Sequence, residues 1–184
     1  MTATEAAQAK HAAGSTPSQL WSRHGADAHR AWAAAASVVD PEVPVLTIDD
    51  IGILREVTVT DDGVEVVVTP TYSGCPAMET IRDDVVRALG AAGFDAVRVR
   101  LTLAPAWTTD WISDAGRVAL ERFGIAPPTG QAAAARHVSI RMAVKCPHCD
   151  SLDTTEISRF GSTSCKALYE CRACGEPFDY FKVL

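Results

Sequence analysis

The sequence predicts an α+β protein: a small β-β-α-β mixed-sheet domain followed by a C-terminal four-cysteine ribbon module. Three observations carry this. Two valine-alternating segments flank an Asp61-Asp62-Gly63 turn, and an amphipathic helix and a third alternating segment follow them. Five of the six cysteines fall in the last 47 residues, four of them in two C-x-x-C pairs. Leu, Ile, Val and Phe total 41 of 184 residues, enough for one compact core but not for two large ones.

Taken in order, residues 1–25 read as a mobile tail, rich in Ala, Ser, Thr and Gln and without periodicity. Residues 26–39 are a helix by propensity, anchored by Trp32. Pro41 stops it, because the residue before a proline, Asp40, is pushed out of the helical region. Val57 and Val59 alternate with threonines, and Val64, Val66 and Val68 continue the pattern beyond the turn. That is an antiparallel hairpin with one buried face. Residues 76–89 form the next helix, with Met78, Ile81, Val85 and Leu89 as its apolar stripe and Gly90 as its end. Val97, Val99, Leu101 and Leu103 mark a third strand. Ser113 caps a last helix, 114–123, that closes at Gly124. The mixed-sheet domain thus spans 26–125, residues 126–137 form a linker, and residues 138–184 form the ribbon.

Charge narrows the partners. The formal net charge is −6. Residues 26–125 hold 16 acids against 8 arginines, whereas residues 138–184 balance six against six. A ribbon without excess positive charge lacks what phosphate neutralisation requires, so nucleic acid is not an expected partner. No run of 18 apolar residues spans a membrane, and no basic-then-apolar segment opens the chain. The expectation is a cytoplasmic protein with reduced cysteines that serve as metal ligands or reactive thiols.

Cys146-Pro147-His148-Cys149 and Cys171-Arg172-Ala173-Cys174 are separated by 21 residues. Two such knuckles set four thiolates around one tetrahedral ion. The expected cofactor is therefore one structural zinc held by Cys146, Cys149, Cys171 and Cys174, within a zinc ribbon whose hairpin runs around 154–160 and 166–170. Iron fits the same sulfur set. His148 reads as a solvated filler inside its knuckle. Cys165 is a surplus thiol, either a small buried hydrophobe or a second metal-handling sulfur whose thiolate Lys166 would favour.

Cys75 is the isolated cysteine of the first domain. Pro76 is suited to a first helical position, which puts Cys75 at the cap of the helix, where free amides and the dipole favour a thiolate. Glu79 opposes this with nearby negative charge. Asp40 and Glu42 are either solvated acids at a helix stop or part of a site. No histidine is placed by sequence beside Cys75 to act as its base, so the chain reads as a non-enzyme.

Asp40-Pro41-Glu42-Val43-Pro44, and Thr71 through Cys75-Pro76 on a β-β-α-β chain, resemble the metal–sulfur cluster biosynthetic family. That family includes the SufT-like proteins and the eukaryotic cytosolic iron–sulfur targeting factors. The resemblance covers about residues 26–125 and implies an iron–sulfur cluster assembly domain-like fold, with Cys75 as the reactive cysteine. Pro105 through Ser113, and Phe160 through Tyr169, resemble the narrower PaaD-like family encoded with the bacterial phenylacetyl-CoA epoxidase. Bulky Tyr72 departs from the wider family in the loop before Cys75.

This resemblance implies an accessory protein of phenylacetate catabolism that matures or inserts the iron or iron–sulfur centre of the multicomponent epoxidase. Cys75 would hold a transient iron or iron–sulfur cluster, with Asp40 and Glu42 shaping or ligating the site. The implied partners are the oxygenase and reductase subunits of that system, and a homodimer is left open. The alternative is a structural or assembly subunit that only binds them through its zinc ribbon.

Overall fold

A computed structural model describes residues 25–129 and 143–183. Residues 1–24 of the expected tail and residues 130–137 of the expected linker lie outside the described residues, while Gly25, expected in the tail, opens the first helix. The chain divides into two compact units between Trp107 and Thr108.

The first unit opens with helix α1 (Gly25–Ala36). It stops three residues short of the expected end, because Val39 turns into an antiparallel bridge with Thr47. Strands β1 (Leu54–Thr60) and β2 (Gly63–Val68) form the predicted hairpin. Helix α2 (Ala77–Ala91) crosses over to β3 (Val97–Leu101), which pairs parallel to β2. The sheet order is β1-β2-β3, with an antiparallel and a parallel neighbour pair, hence mixed. Helix α2 runs through Gly90 and is capped at Ala92, while Gly93, at φ 88°, makes the turn expected at Gly90. A glycine inside a helix costs only about 1 kcal/mol against alanine, and the packed stripe overrides it. Strand β3 stops at Leu101 rather than Leu103.

Helices α1 and α2 touch each other, α1 packs on β1 and α2 on β3. Met78, Ile81, Val85 and Leu89 are buried, as the 3.6-residue period demands. They share the core with Val57, Val64 and Val66 of the hairpin. The loop from Val38 to Ile53 adds Leu46, Ile48 and Ile51 to this core, and Trp107 donates from its indole nitrogen to the Ile51 carbonyl at 2.9 Å.

The second unit begins with a short 3-10 turn (Thr109–Trp111) and helix α3 (Asp114–Arg122). Ser113 caps α3, its hydroxyl oxygen accepting from the Gly116 amide at 2.9 Å. Strand β4 (Ile125–Ala126) pairs parallel with β7 (Pro177–Phe181), beside β6 (Lys166–Cys171) and β5 (Thr154–Ser158), in the order β4-β7-β6-β5. Helix α3 therefore groups with the cysteine-rich unit and not with the 26–125 domain in which the sequence pattern puts it. The cause is the strand that follows it: two residues, too short to show periodicity, join the ribbon sheet. The ribbon core is Ala126, Val144, Ala167, Phe178 and Tyr180 around two of the cysteines, with Tyr169 against it.

Gly63 and Gly93 both hold positive φ, at 133° and 88°. A Cβ on Gly63 would lie 2.3 Å from the Ala96 carbonyl oxygen, whereas one on Gly93 meets nothing within 4 Å. Gly63→Ala is expected to cost on the order of 1–3 kcal/mol in urea unfolding, and more than Gly93→Ala, because only the first adds a clash to backbone strain. Equal losses would mean that backbone strain alone governs both.

Candidate metal and cluster-handling sites

In the second unit, each C-x-x-C pair lies in a tight turn. The Asp150 amide donates to the Cys146 carbonyl and the Gly175 amide to the Cys171 carbonyl, at 3.0 and 2.7 Å. Asp150 and Gly175 take positive φ to close these turns, at 63° and 77°. The hairpin β5–β6 and the pairing of β6 with β7 bring the turns together. The four sulfurs lie within 4.8 Å of one another. Cys146 Sγ is 3.9 Å from Cys174 Sγ, and Cys149 Sγ is 3.5 Å from Cys171 Sγ. A tetrahedral ion with Zn–S bonds of ~2.3 Å needs sulfur–sulfur edges of roughly 3.8 Å. The donor set thus fits one four-coordinate ion, and its coordination would be closed.

The thiols also need the ion electrostatically. Backbone hydrogen bonding from Cys174 draws the Cys171 thiol down to about 7. At Cys149 the Ser151 backbone pulls downward, but the Cys171 thiol, desolvation and the other two thiols together push it up to about 12. The Glu176 backbone lowers Cys174, but desolvation and the Cys171 thiol leave it raised. Cys171 ionises readily beside its neighbours, whereas Cys149 and Cys174 resist. A dication held by Cys146, Cys149, Cys171 and Cys174 would remove that resistance by stabilising all four as thiolates.

Around the knuckles lie contacts that sequence reasoning missed. Lys145 Nζ bridges Asp150 Oδ1 at 2.8 Å and Glu121 Oε1 at 3.1 Å, joining the first knuckle to α3. The side chain of His148 sits over Gly124, where a Cβ would meet its ring at 3.2 Å, and edge-on to Phe178 at 6.5 Å. No periodic pattern signals pairs this far apart in sequence. Cys165 is 3% exposed and its sulfur lies 2.9 Å from Thr163 Oγ1. Lys166, 4% exposed, reaches Asp179 Oδ2 at 3.5 Å. Its charge is engaged across β6–β7.

In the first unit, Cys75 is half-buried at the opening of α2. Its amide donates to the Tyr72 carbonyl at 3.2 Å, and its carbonyl accepts from the Met78 amide at 3.4 Å. The helix cap is Pro76, one residue later than expected, with helical dihedrals of −70° and −20°. Ser73 and Gly74 before it are exposed. Asp40 is 5% exposed, and one of its oxygens, Oδ1, accepts from the Glu42 and Val43 amides at 2.8 and 2.9 Å. Glu42 is half-buried. Among the described residues, the four ribbon cysteines are the set of three or more metal-binding side chains that the fold gathers; Cys75, Asp40 and Glu42 are not gathered in that way.

Comparison with known proteins agrees with this division. Residues 29–105 match the model of the iron–sulfur cluster assembly protein family, and residues 131–182 match the PaaD zinc beta ribbon domain. Over 156 residues the chain is 49% identical to an Escherichia coli protein named as a subunit of 1,2-phenylacetyl-CoA epoxidase, covering 85% of this chain and 93% of that one. The chain belongs to the PaaD family. Two further relatives match its first part. A Porphyromonas gingivalis Fe-S protein maturation auxiliary factor is 38% identical, covering 42% of this chain and 75% of that one. A Bacillus subtilis auxiliary factor of the same description, YitW, is 35% identical, covering 47% and 86%. No helix among the described residues is long and apolar enough to cross a membrane.

The purified chain is expected to carry one zinc, and Cys171→Ser to lose it. Amide exchange should then rise along α3 as well as along β5–β7, while β1–β3 stay protected, because β4 and Lys145 tie α3 to the ribbon. Full zinc in Cys171→Ser would exclude this ligand set. At Asp40, loop capping predicts a loss of ~0.5–2 kcal/mol for Asp40→Ala but a smaller one for Asp40→Asn, which keeps an acceptor oxygen. Equal losses in thermal unfolding would tie the role of Asp40 to its charge.

Proposed function

We propose that this chain is an accessory factor that loads the iron or iron–sulfur centre of a phenylacetyl-CoA epoxidase system. Cys75 is the thiolate that holds the metal cargo in transit. The observation that carries this reading is the position of Cys75: a half-buried thiol on an exposed loop, at the amide end of a 15-residue helix, inside a domain of the cluster-assembly family. The positive end of the α2 dipole favours negative charge there, and thiolates are preferred ligands of iron–sulfur clusters. A single protein thiolate leaves most of the coordination sphere to other ligands, so cargo can leave. Asp40 braces the loop that presents Glu42, and Glu42 is the carboxylate assigned to the rim of the site. The ribbon is the part assigned to docking on oxygenase or reductase subunits, with its zinc as scaffold. The similarity to the Escherichia coli epoxidase subunit along most of the chain, joined to the similarity of the first unit to maturation factors, supports this assignment.

Cys75→Ala tests it. The variant should fold with zinc retained, because a half-buried sulfur leaves a small cavity. Oxygenase or reductase purified from cells carrying it should hold severalfold less iron and support no growth on phenylacetate. Anaerobic incubation with iron and sulfide should give the wild-type chain a visible cluster absorption that Cys75→Ser lacks. Normal iron in both clients, with normal growth, would leave a subunit that only binds its partners.

A further inference from the structure

Among the described residues, the three-stranded sheet ends on β3, whose one strand neighbour is β2. The Thr102 amide donates to the Val68 carbonyl, and the Ala96 carbonyl accepts from the Val64 amide. Backbone groups of a strand alternate sides with period two. Arg98 and Arg100 therefore address β2, while Val97, Val99 and Leu101 turn their N–H and C=O groups to the outer edge. Of the usual blocks this edge has charged side chains, Arg98 and Arg100, but neither a proline nor a bulge. Its register with β2 runs unbroken over five residue pairs. Leu101 and the following Leu103 are 50% and 61% exposed.

Side chains give this edge a chemical character. Arg98 and Arg100 are exposed on one face of the sheet, with Val97, Val99 and Leu101 on the other. Glu65 stands beside Arg98 in the register, and Arg100 Nε lies 3.5 Å from its carboxylate, so two guanidiniums face one acid. A second copy pairing antiparallel about Val99 would set Arg98 opposite Arg100 and Arg100 opposite Arg98. Like charges directly opposed destabilise a strand pair, so the edge is built against itself.

We propose that the free edge of β3 docks an extended segment of a partner protein in which acidic and apolar residues alternate. Added as a fourth strand, such a segment pairs with the outward backbone groups of Val97, Val99 and Leu101. Its carboxylates lie beside Arg98 and Arg100, and its apolar residues extend the Val97–Val99–Leu101 row. The proposal does not depend on the metal-carrying role of Cys75.

The test uses the full chain and a fluorescein-labelled Glu-Val-Glu-Val-Glu-Val peptide. Binding followed by anisotropy should weaken with added salt. It should fall at least tenfold for R98E/R100E and at least tenfold for a peptide with lysine in place of glutamate. Amide NMR shifts should centre on Val97, Val99 and Leu101. A peptide N-methylated along one edge should lose binding while keeping its charge. If R98E/R100E melts lower than the wild type, R98Q/R100Q replaces it and the same ordering is expected. Equal binding of the lysine peptide, shifts centred away from β3, or a dimer in solution that Val99→Glu dissociates would each overturn the proposal.

Discussion

The second unit holds four thiols within 4.8 Å of one another, a set whose full ionisation is opposed unless a cation joins it. Its apolar core is small, and two of its seven buried members are themselves cysteines, Cys146 and Cys171. Burial of this size supplies little surplus over conformational entropy in so short a chain. A metal held by the four cysteines would supply the difference, at an apparent ~10–16 kcal/mol in isolated zinc-finger peptides. The aromatic contacts of Tyr169 with Phe178 and Tyr180 pack beside this set. Lys145 ties the set to α3 by bridging the first knuckle and Glu121.

The first unit rests on a different constraint. A parallel pair needs a crossover, and α2 supplies it between β2 and β3. The crossover leaves the carboxyl end of β2 at Val68, so the chain must pass through 69–75 before α2 begins. Loops at the carboxyl ends of parallel strands are where α/β sheets habitually bind ligands. Cys75 therefore occupies its place through topology. The same topology leaves β3 at the sheet margin, with arginines on one face and apolar groups on the other.

Periodicity carries most of this fold in the sequence. The valine alternation of β1 and β2, the apolar stripe of α2 and the Ser113 cap stand where their patterns place them. The four-cysteine set is equally legible, because spacing alone brings knuckle cysteines together. What is not legible depends on single tertiary contacts. Helix α1 stops early because Val39 finds Thr47. Strand β4 is too short to show a period, so its pairing with the ribbon sheet, and the grouping of α3 that follows from it, leave no mark in the sequence. By adjacency Lys166 reads as a partner for Cys165; its ion pair with Asp179 on β7 spans two strands and leaves no mark in the sequence. Asp40 reads as an acid near a site in the sequence; in the fold, its Oδ1 satisfies two loop amides.

The two kinds of cysteine site divide the chemistry by coordination number. A closed set of four sulfurs saturates a tetrahedral ion, and its exchange requires breaking a folded unit. Such a site is suited to holding and poorly suited to handing over. Cys75 is the reverse case: one thiol, half-buried, on an exposed loop. Under the proposed function, cargo bound there would keep positions open through which a client's ligands could enter before the Cys75 bond broke. Transfer by ligand exchange needs such positions, and a ribbon with all four cysteines engaged provides none. Cys165 does not alter this division, because a sulfur 3% exposed and 2.9 Å from a threonine hydroxyl offers a client no approach without opening the loop before β6. Metal that must stay and metal that must move call for opposite surroundings; the gathered cysteines of the second unit suit the first, and the lone, half-buried Cys75 suits the second under the proposed function.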